Sequence, residues 1–232
     1  MVGHINRKML QMFMTRSAPR DLRRLYNSAA AKWHDRMAAL GYDDAYRAAL
    51  ASLLDADARR HRVMDAGCGA GSFARAYVAQ RGGPDVLTLA DPAAAMLHEA
   101  ATCLAGSASE TVLLNCGIEA LPVYPTQDLI LCAHVIDHCA DPVRALRALG
   151  QTLAHGGAML LIVTKPHWCN WLIWLSWRHR SYRPSRMLEA IIAADLTCPR
   201  DMGFAKGPPR RTSHAYLVTH TQSEILYADC YR

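Results

Sequence analysis

No stretch of the chain holds the ~20 consecutive apolar residues that a bilayer-spanning helix needs. The longest run of membrane-like composition, Trp168 to Trp177, reaches about half that length, so a span is excluded. No two of the eight cysteines (68, 103, 116, 132, 139, 169, 198 and 230) form a CxxC pair, and their spacing is irregular. A disulfide framework is therefore not expected. The pattern reads as reduced thiols of a cytosolic protein, several of them buried as small hydrophobes. The N-terminus lacks an apolar core segment before a small-residue cleavage site, which argues against secretion, although its Arg-rich, acid-poor start also fits an organellar leader. Internal repeats and low-complexity tracts are missing, as is any excess of Gly (14) or Pro (11). Solenoid, collagen-like and disordered classes drop out.

What is present is 232 residues, 51% hydrophobic and 20% charged, enough chain for one α/β domain with a substantial core. The net charge of +6 is unevenly spread. Residues 1–24 carry six basic side chains against Asp21 alone, and residues 165–211 carry nine against three acidic ones. The stretch between them has ten basic and fourteen acidic groups, so an anionic partner is expected to meet the flanks of an acidic body.

Apolar residues recurring at three and four predict helices over 21–40 and 43–54, parted by Gly41. The pattern then changes to short strands (61–66, 86–90, 111–115, 128–133 and 158–163) alternating with helices (72–80, 92–104 and 141–153). Asp141-Pro142 reads as an N-cap followed by proline in the first turn. Strands apolar on both faces indicate a parallel sheet covered on both sides. A further helix is expected over 185–194. Two closing strands, 196–204 and 215–219, are expected to pair antiparallel at the sheet edge across a Gly-Pro-Pro-Arg-Arg connection.

The densest local signal is Val63-Met64-Asp65-Ala66-Gly67-Cys68-Gly69-Ala70-Gly71-Ser72-Phe73, where a strand hands over to a helix. Glycines there permit a tight turn and close approach of a ligand to main chain, and a helix N-terminus adds favourable dipoles. A dinucleotide fingerprint would need its third glycine where Ser72 stands, so NAD is disfavoured. Twenty residues beyond Gly71, at the end of the next strand, Asp91 is placed to accept the two hydroxyls of a ribose.

On these residues the chain resembles the class I S-adenosylmethionine-dependent methyltransferases, in particular the small-molecule branch of ubiquinone and menaquinone methyltransferases. The matching stretches are VMDAGCGAGSFA (63–74), LTLADPAAAML (87–97), NCGIEALP (115–122), DLILCAHVIDHCADPVRAL (128–146) and LAHGGAMLLIV (153–163). The resemblance implies a Rossmann-like, seven-stranded, mostly parallel sheet, with residues 1–57 as a basic arm and helical cap on a methyltransferase domain over 58–232. It implies that Asp65, Gly67, Cys68 and Gly69 surround the methionine portion of the cofactor, with Gly71 also among the cofactor-binding residues. Asp91 would hold the ribose, with Pro92 and Met96 beside the adenine. Ile118 would follow the adenine-contacting backbone, and Ala133 and His134 would line the side near the sulfonium. Where the family often has an acid, this chain has Gly117, which leaves the adenine amino group to Glu119 or to main chain.

The reaction so implied is in-line displacement at a methyl carbon, for which the protein supplies positioning and exclusion of water. A base is needed only for an acceptor that holds its proton at neutral pH. His134, His138 and Tyr26 are the catalytic candidates, each weighed against a plain lining role. His134-Val135-Ile136-Asp137-His138 has the spacing of a zinc motif, but its first histidine ends a strand instead of sharing a helix face with the second, so no metal is expected.

Four of the five tryptophans fall within Trp168–Trp177, and a basic stretch of Arg178, Arg180, Arg183 and Arg186 follows. Residues 165–194 are expected to form a lid, and Tyr26, Trp33, His138, His167, Trp171, Trp174 and Arg178 to line an acceptor site. A bulky apolar acceptor with an anionic group fits this composition. So does peripheral contact of 168–186 with a membrane surface by an otherwise cytoplasmic protein. RNA ranks lower as a partner, because the aromatics cluster with Leu and Ile rather than alternating with basic residues. A cofactor-binding module without turnover is the alternative outside catalysis.

Overall fold

The computed structural model describes residues 35, 37–55, 60–122, 127–167 and 180–221. The expected helix over 21–40 lies mostly, and the Trp168–Trp177 segment wholly, outside them; Tyr26, Trp33, Trp171, Trp174 and Arg178 go with these stretches.

A helix α1 (Tyr42–Leu53) precedes the sheet. Then come β1 (Arg62–Ala66), α2 (Ser72–Arg81), β2 (Val86–Ala90), α3 (Ala94–Cys103), β3 (Glu110–Leu114) and β4 (Gln127–Ala133). After these follow α4 (Pro142–Thr152), β5 (Leu153–Thr164), α5 (Pro184–Ala193), β6 (Leu196–Gly203), α6 (Gly207–Thr212) and β7 (Ser213–His220). The seven strands lie in the order β3-β2-β1-β4-β5-β7-β6. The first five are mutually parallel, and β7 runs antiparallel to both of its neighbours.

Side-chain alternation sorts the strand residues into two cores. Val63, Leu87, Leu129, Leu131, Leu160 and Ile162 pack with α1, α2 and α3 on one face. Met64, Ile130, Cys132, Met159, Leu161 and Val163 pack with α4 and α5 on the other. Because both faces are covered, the central strands read as continuous apolar runs. Asp141 caps α4 as its sequence announces: Oδ1 accepts from the N–H groups of Val143 and Arg144 at 3.0 and 3.1 Å. The helix then buries Ala145, Leu146 and Leu149. Each fully buried leucine contributes roughly 1.5–3 kcal/mol.

Three details differ from the sequence reading. Strand β5 begins at Leu153, ahead of the His155-Gly156-Gly157 turn, and the irregularity is taken up as a shift in its pairing with β4 between Gln127 and Leu129. The Gly-Pro-Pro-Arg-Arg connection is a short helix, with proline at its first positions where no backbone donor is missed. Strand β7 enters between β5 and β6, so of the two closing strands only β6 is at the edge.

The chain runs outward from β1 through β2 to β3, then returns to place β4 on β1's other side. That reversal opens a crevice at the carboxyl ends of β1 and β4, where open α/β sheets bind ligands.

Candidate cofactor and active site

The turn after β1 is tied to the end of β2. The N–H groups of Gly67 and Cys68 both donate to the Ala90 carbonyl, at 2.7 and 3.0 Å. Gly71, at φ +80, starts α2. Asp65 lies beneath that helix start, 1% exposed, its Oδ2 accepting from Ala74 N–H at 3.1 Å. Burial pushes its carboxyl up from 3.8 to about 7; the Ala74 bond opposes the shift and the neighbouring Asp91 charge adds to it. Asp91 braces the same turn, Oδ2 accepting from Gly69 N–H at 2.9 Å and Oδ1 from Ala93 N–H at 2.8 Å. Burial raises its carboxyl too, against these two bonds.

Beside the turn lies a cavity of about 320 Å³. Of the residues named from sequence, Gly67, Pro92, Gly117, Ile118, Glu119 and His138 line it. Burial lowers the His138 imidazole from its ordinary range, with Asp137 acting the other way. Asp65, Cys68, Gly69, Gly71, Asp91, Ala133 and His134 do not line it, although Asp65, Cys68, Asp91 and His134 are each next in sequence to a residue that does. Met96 does not reach it: fully buried, it packs with Ala70 and Ala93. His167, three residues past β5, does not line it either.

Val135, Leu121, Cys116 and Cys139 line the cavity and were not singled out from sequence. Val135 matters most. At Gly67 (φ +72) an added Cβ would lie 2.2 Å from Val135 Cγ2, so this glycine makes room for a protein side chain from the β4 side. At Gly71 a Cβ would meet Leu104 Cδ1 at 3.0 Å and Ala100 Cβ at 3.2 Å, so that position serves the packing of α2 against α3. No local signal could have announced Val135, because its approach depends on β4 lying beside β1.

At the end of β4, His134 N–H donates to Ile162 O at 2.8 Å, and the ring stands edge-on to Tyr42 with centroids 5.2 Å apart. Its Nδ1 is 3.2 Å from Asp137 Oδ2 and 3.1 Å from Thr164 Oγ1. Asp137 and Thr164 were legible only as neighbours of named residues.

Comparison with known proteins agrees with this geometry. A family model described as a methyltransferase domain matches residues 33–194. No curated protein matches the chain. Among solved structures, a putative methyltransferase from Haloferax volcanii, in complex with the Trm112 methyltransferase activator, superposes with TM-score 0.71 at 17% identity, covering 86% of this chain and 97% of that one. A Leishmania major S-adenosylmethionine-dependent methyltransferase gives TM-score 0.68 at 15% identity, over 85% and 81% of the two chains. A Thermotoga maritima S-adenosylmethionine-dependent methyltransferase, described as a possible histamine N-methyltransferase, gives 0.67 at 14%, over 86% and 100%. With a family match over more than half its length, the chain belongs to the methyltransferase-domain family, and it shares the fold of these S-adenosylmethionine-dependent methyltransferases.

Proposed function

We propose that this enzyme methylates a small, hydrophobic or lipid-like acceptor carrying an anionic group, as its resemblance to the ubiquinone and menaquinone methyltransferases implies. The observation that carries the cofactor's part is the cavity at the β1–β4 reversal, with apolar walls at Pro92, Ile118 and Leu121 and with the buried Asp65 and Asp91 next in sequence to its lining residues Ala66, Ala90 and Pro92. Apolar walls suit a planar base, and Glu119 or the Gly117 main chain would meet its amino group. Asp91 retains lone pairs for ribose hydroxyls beyond those engaged by Gly69 and Ala93. Asp65, Gly67, Cys68, Gly69 and Gly71 would border the methionine end, with Ala133 and His134 toward the methyl group. S-adenosylmethionine, when bound, supplies an activated methyl group on a sulfonium; the chain's residues orient it and exclude water.

The acceptor's part rests on composition. The net +6 of residues 165–211 and the tryptophans at 168–177 fit an apolar acceptor with an anionic group, reached through Tyr26, Trp33, His138, His167, Trp171, Trp174 and Arg178. Contact of 168–186 with a membrane surface would give access to lipid-dissolved acceptors. Among the described residues no helix is long and apolar enough to cross a membrane. The test is methyl transfer from labelled S-adenosylmethionine to a panel of quinols and aromatic acids, with and without anionic liposomes. Transfer to apolar anionic acceptors is expected; transfer confined to RNA, or cofactor binding without any turnover, would overturn the reading.

A further inference from the structure

His134 is one of two non-glycine residues with positive φ among the described residues, at 59°. A side chain of this size enters that region rarely, and only where its surroundings hold it there. The hold is visible. Asp137, with no exposed surface, accepts the Thr164 hydroxyl on Oδ2 at 2.6 Å and Thr164 N–H on both oxygens at 3.2 Å. With its hydrogen spent on Asp137, the Thr164 oxygen offers Nδ1 of His134 only a lone pair, and so does the carboxylate. Nδ1 must therefore carry the ring proton, which leaves Nε2 bare in the neutral imidazole. Nε2 is buried and meets no hydrogen-bond partner among the described residues. A buried acceptor fixed in one tautomer and left without a donor marks a place that a ligand donor completes.

We propose that Nε2 of His134 is the general base that removes the proton from a weakly acidic hydroxyl of the methyl acceptor, with Asp137 and Thr164 as positioning residues. This rests on the methyl-transfer reading above and adds the methylated atom, an oxygen. As the hydroxyl oxygen attacks the methyl carbon, its O–H electron pair stays on oxygen and its proton passes to Nε2. The carbon–sulfur bond breaks with its pair on sulfur, leaving the methyl ether and S-adenosylhomocysteine. The imidazolium, facing the Asp137 carboxylate, later releases the proton to water. A weakly acidic hydroxyl needs its proton removed as it attacks, whereas a neutral amine attacks through its own lone pair without a base, so a base at this position suits an oxygen acceptor.

The test uses the full chain, tritiated S-adenosylmethionine and a series of phenols from 4-methoxyphenol to pentafluorophenol. His134→Asn is the first variant, since Asn tolerates the left-handed backbone. Its kcat is expected to fall about 10²–10⁴-fold with weakly acidic phenols and hardly at all with those already ionised at the assay pH. Asp137→Asn should show the same dependence with a smaller loss. Asp137→Asn, which lies outside the residues assigned to the cofactor, should keep the calorimetric affinity for S-adenosylhomocysteine within about twofold. Nitrogen-15 spectra of the wild-type imidazole should show the proton on Nδ1, moving to Nε2 in Asp137→Asn. A loss uniform across the phenols, a proton on Nε2 in the wild type, or no phenol methylated by a protein that binds S-adenosylhomocysteine would each overturn the proposal. Absence of S-adenosylhomocysteine binding by the wild type would instead remove the methyl-transfer reading beneath it.

Discussion

On the β2 side of β1 the site is made largely of main chain: Gly67 and Cys68 donate to Ala90, and Asp91 ties Gly69 to Ala93. On the β4 side it is made of side chains, with His134 held at positive φ by a buried Asp137–Thr164 pair and Val135 seated over Gly67. Backbone amides and a short glycine turn suit a cofactor that many enzymes share. Side chains in constrained conformations suit chemistry particular to one acceptor. The two wings should therefore fail differently when damaged, the first in cofactor binding and the second in turnover.

The largest expected effect lies where the wings meet. Gly67→Ala places a Cβ into Val135 at positive φ, and stability should fall by about 2–5 kcal/mol in urea titration. Adding Val135→Ala should restore the packing part of that loss but not the backbone part. Full recovery would mean that φ carries no cost there, and no recovery that Val135 is not the obstacle.

Asp65 comes next. Because its folded pKa is raised from 3.8 to about 7, the folded chain keeps a proton that the unfolded chain gives up. Its contribution therefore turns unfavourable as pH rises from about 4 and is fully unfavourable above about 7. Asp65→Asn should be more stable than the wild type by a margin that widens across that window to the order of a few kcal/mol. Parallel stability curves would contradict the assignment. The same variant should bind the cationic cofactor more weakly.

Asp91→Ala should lower calorimetric affinity for S-adenosylhomocysteine about 10–100-fold, as expected for loss of charge-assisted hydrogen bonds. Unchanged affinity would break the cofactor half of the comparison. The smallest effect serves as the control: Asp141→Ala removes the α4 cap, should cost about 1 kcal/mol and should leave affinity unaltered.

Much of this was legible in the chain itself, for reasons that differ by residue. Strands such as Leu129–Cys132 announce themselves because both faces of a covered parallel sheet are apolar, and Asp141-Pro142 because capping is local chemistry. The glycine turn and Asp91 stand at the ends of consecutive strands, so their proximity could be read from order alone. The short helix at Gly207 was missed because glycine and proline read as breakers, although proline is well suited to a first turn. Val135, Leu121 and the Asp137–Thr164 pair were not legible as a site, since they meet only once β1, β4 and β5 lie side by side.

The most direct measurement is a crystal structure of the chain grown with S-adenosylhomocysteine. The adenine should lie between Pro92 and Ile118, with both ribose hydroxyls on Asp91 and the sulfur facing the end of β4. Density for the compound elsewhere, or the cavity closed by Val135 and His138 at saturating ligand, would contradict the account.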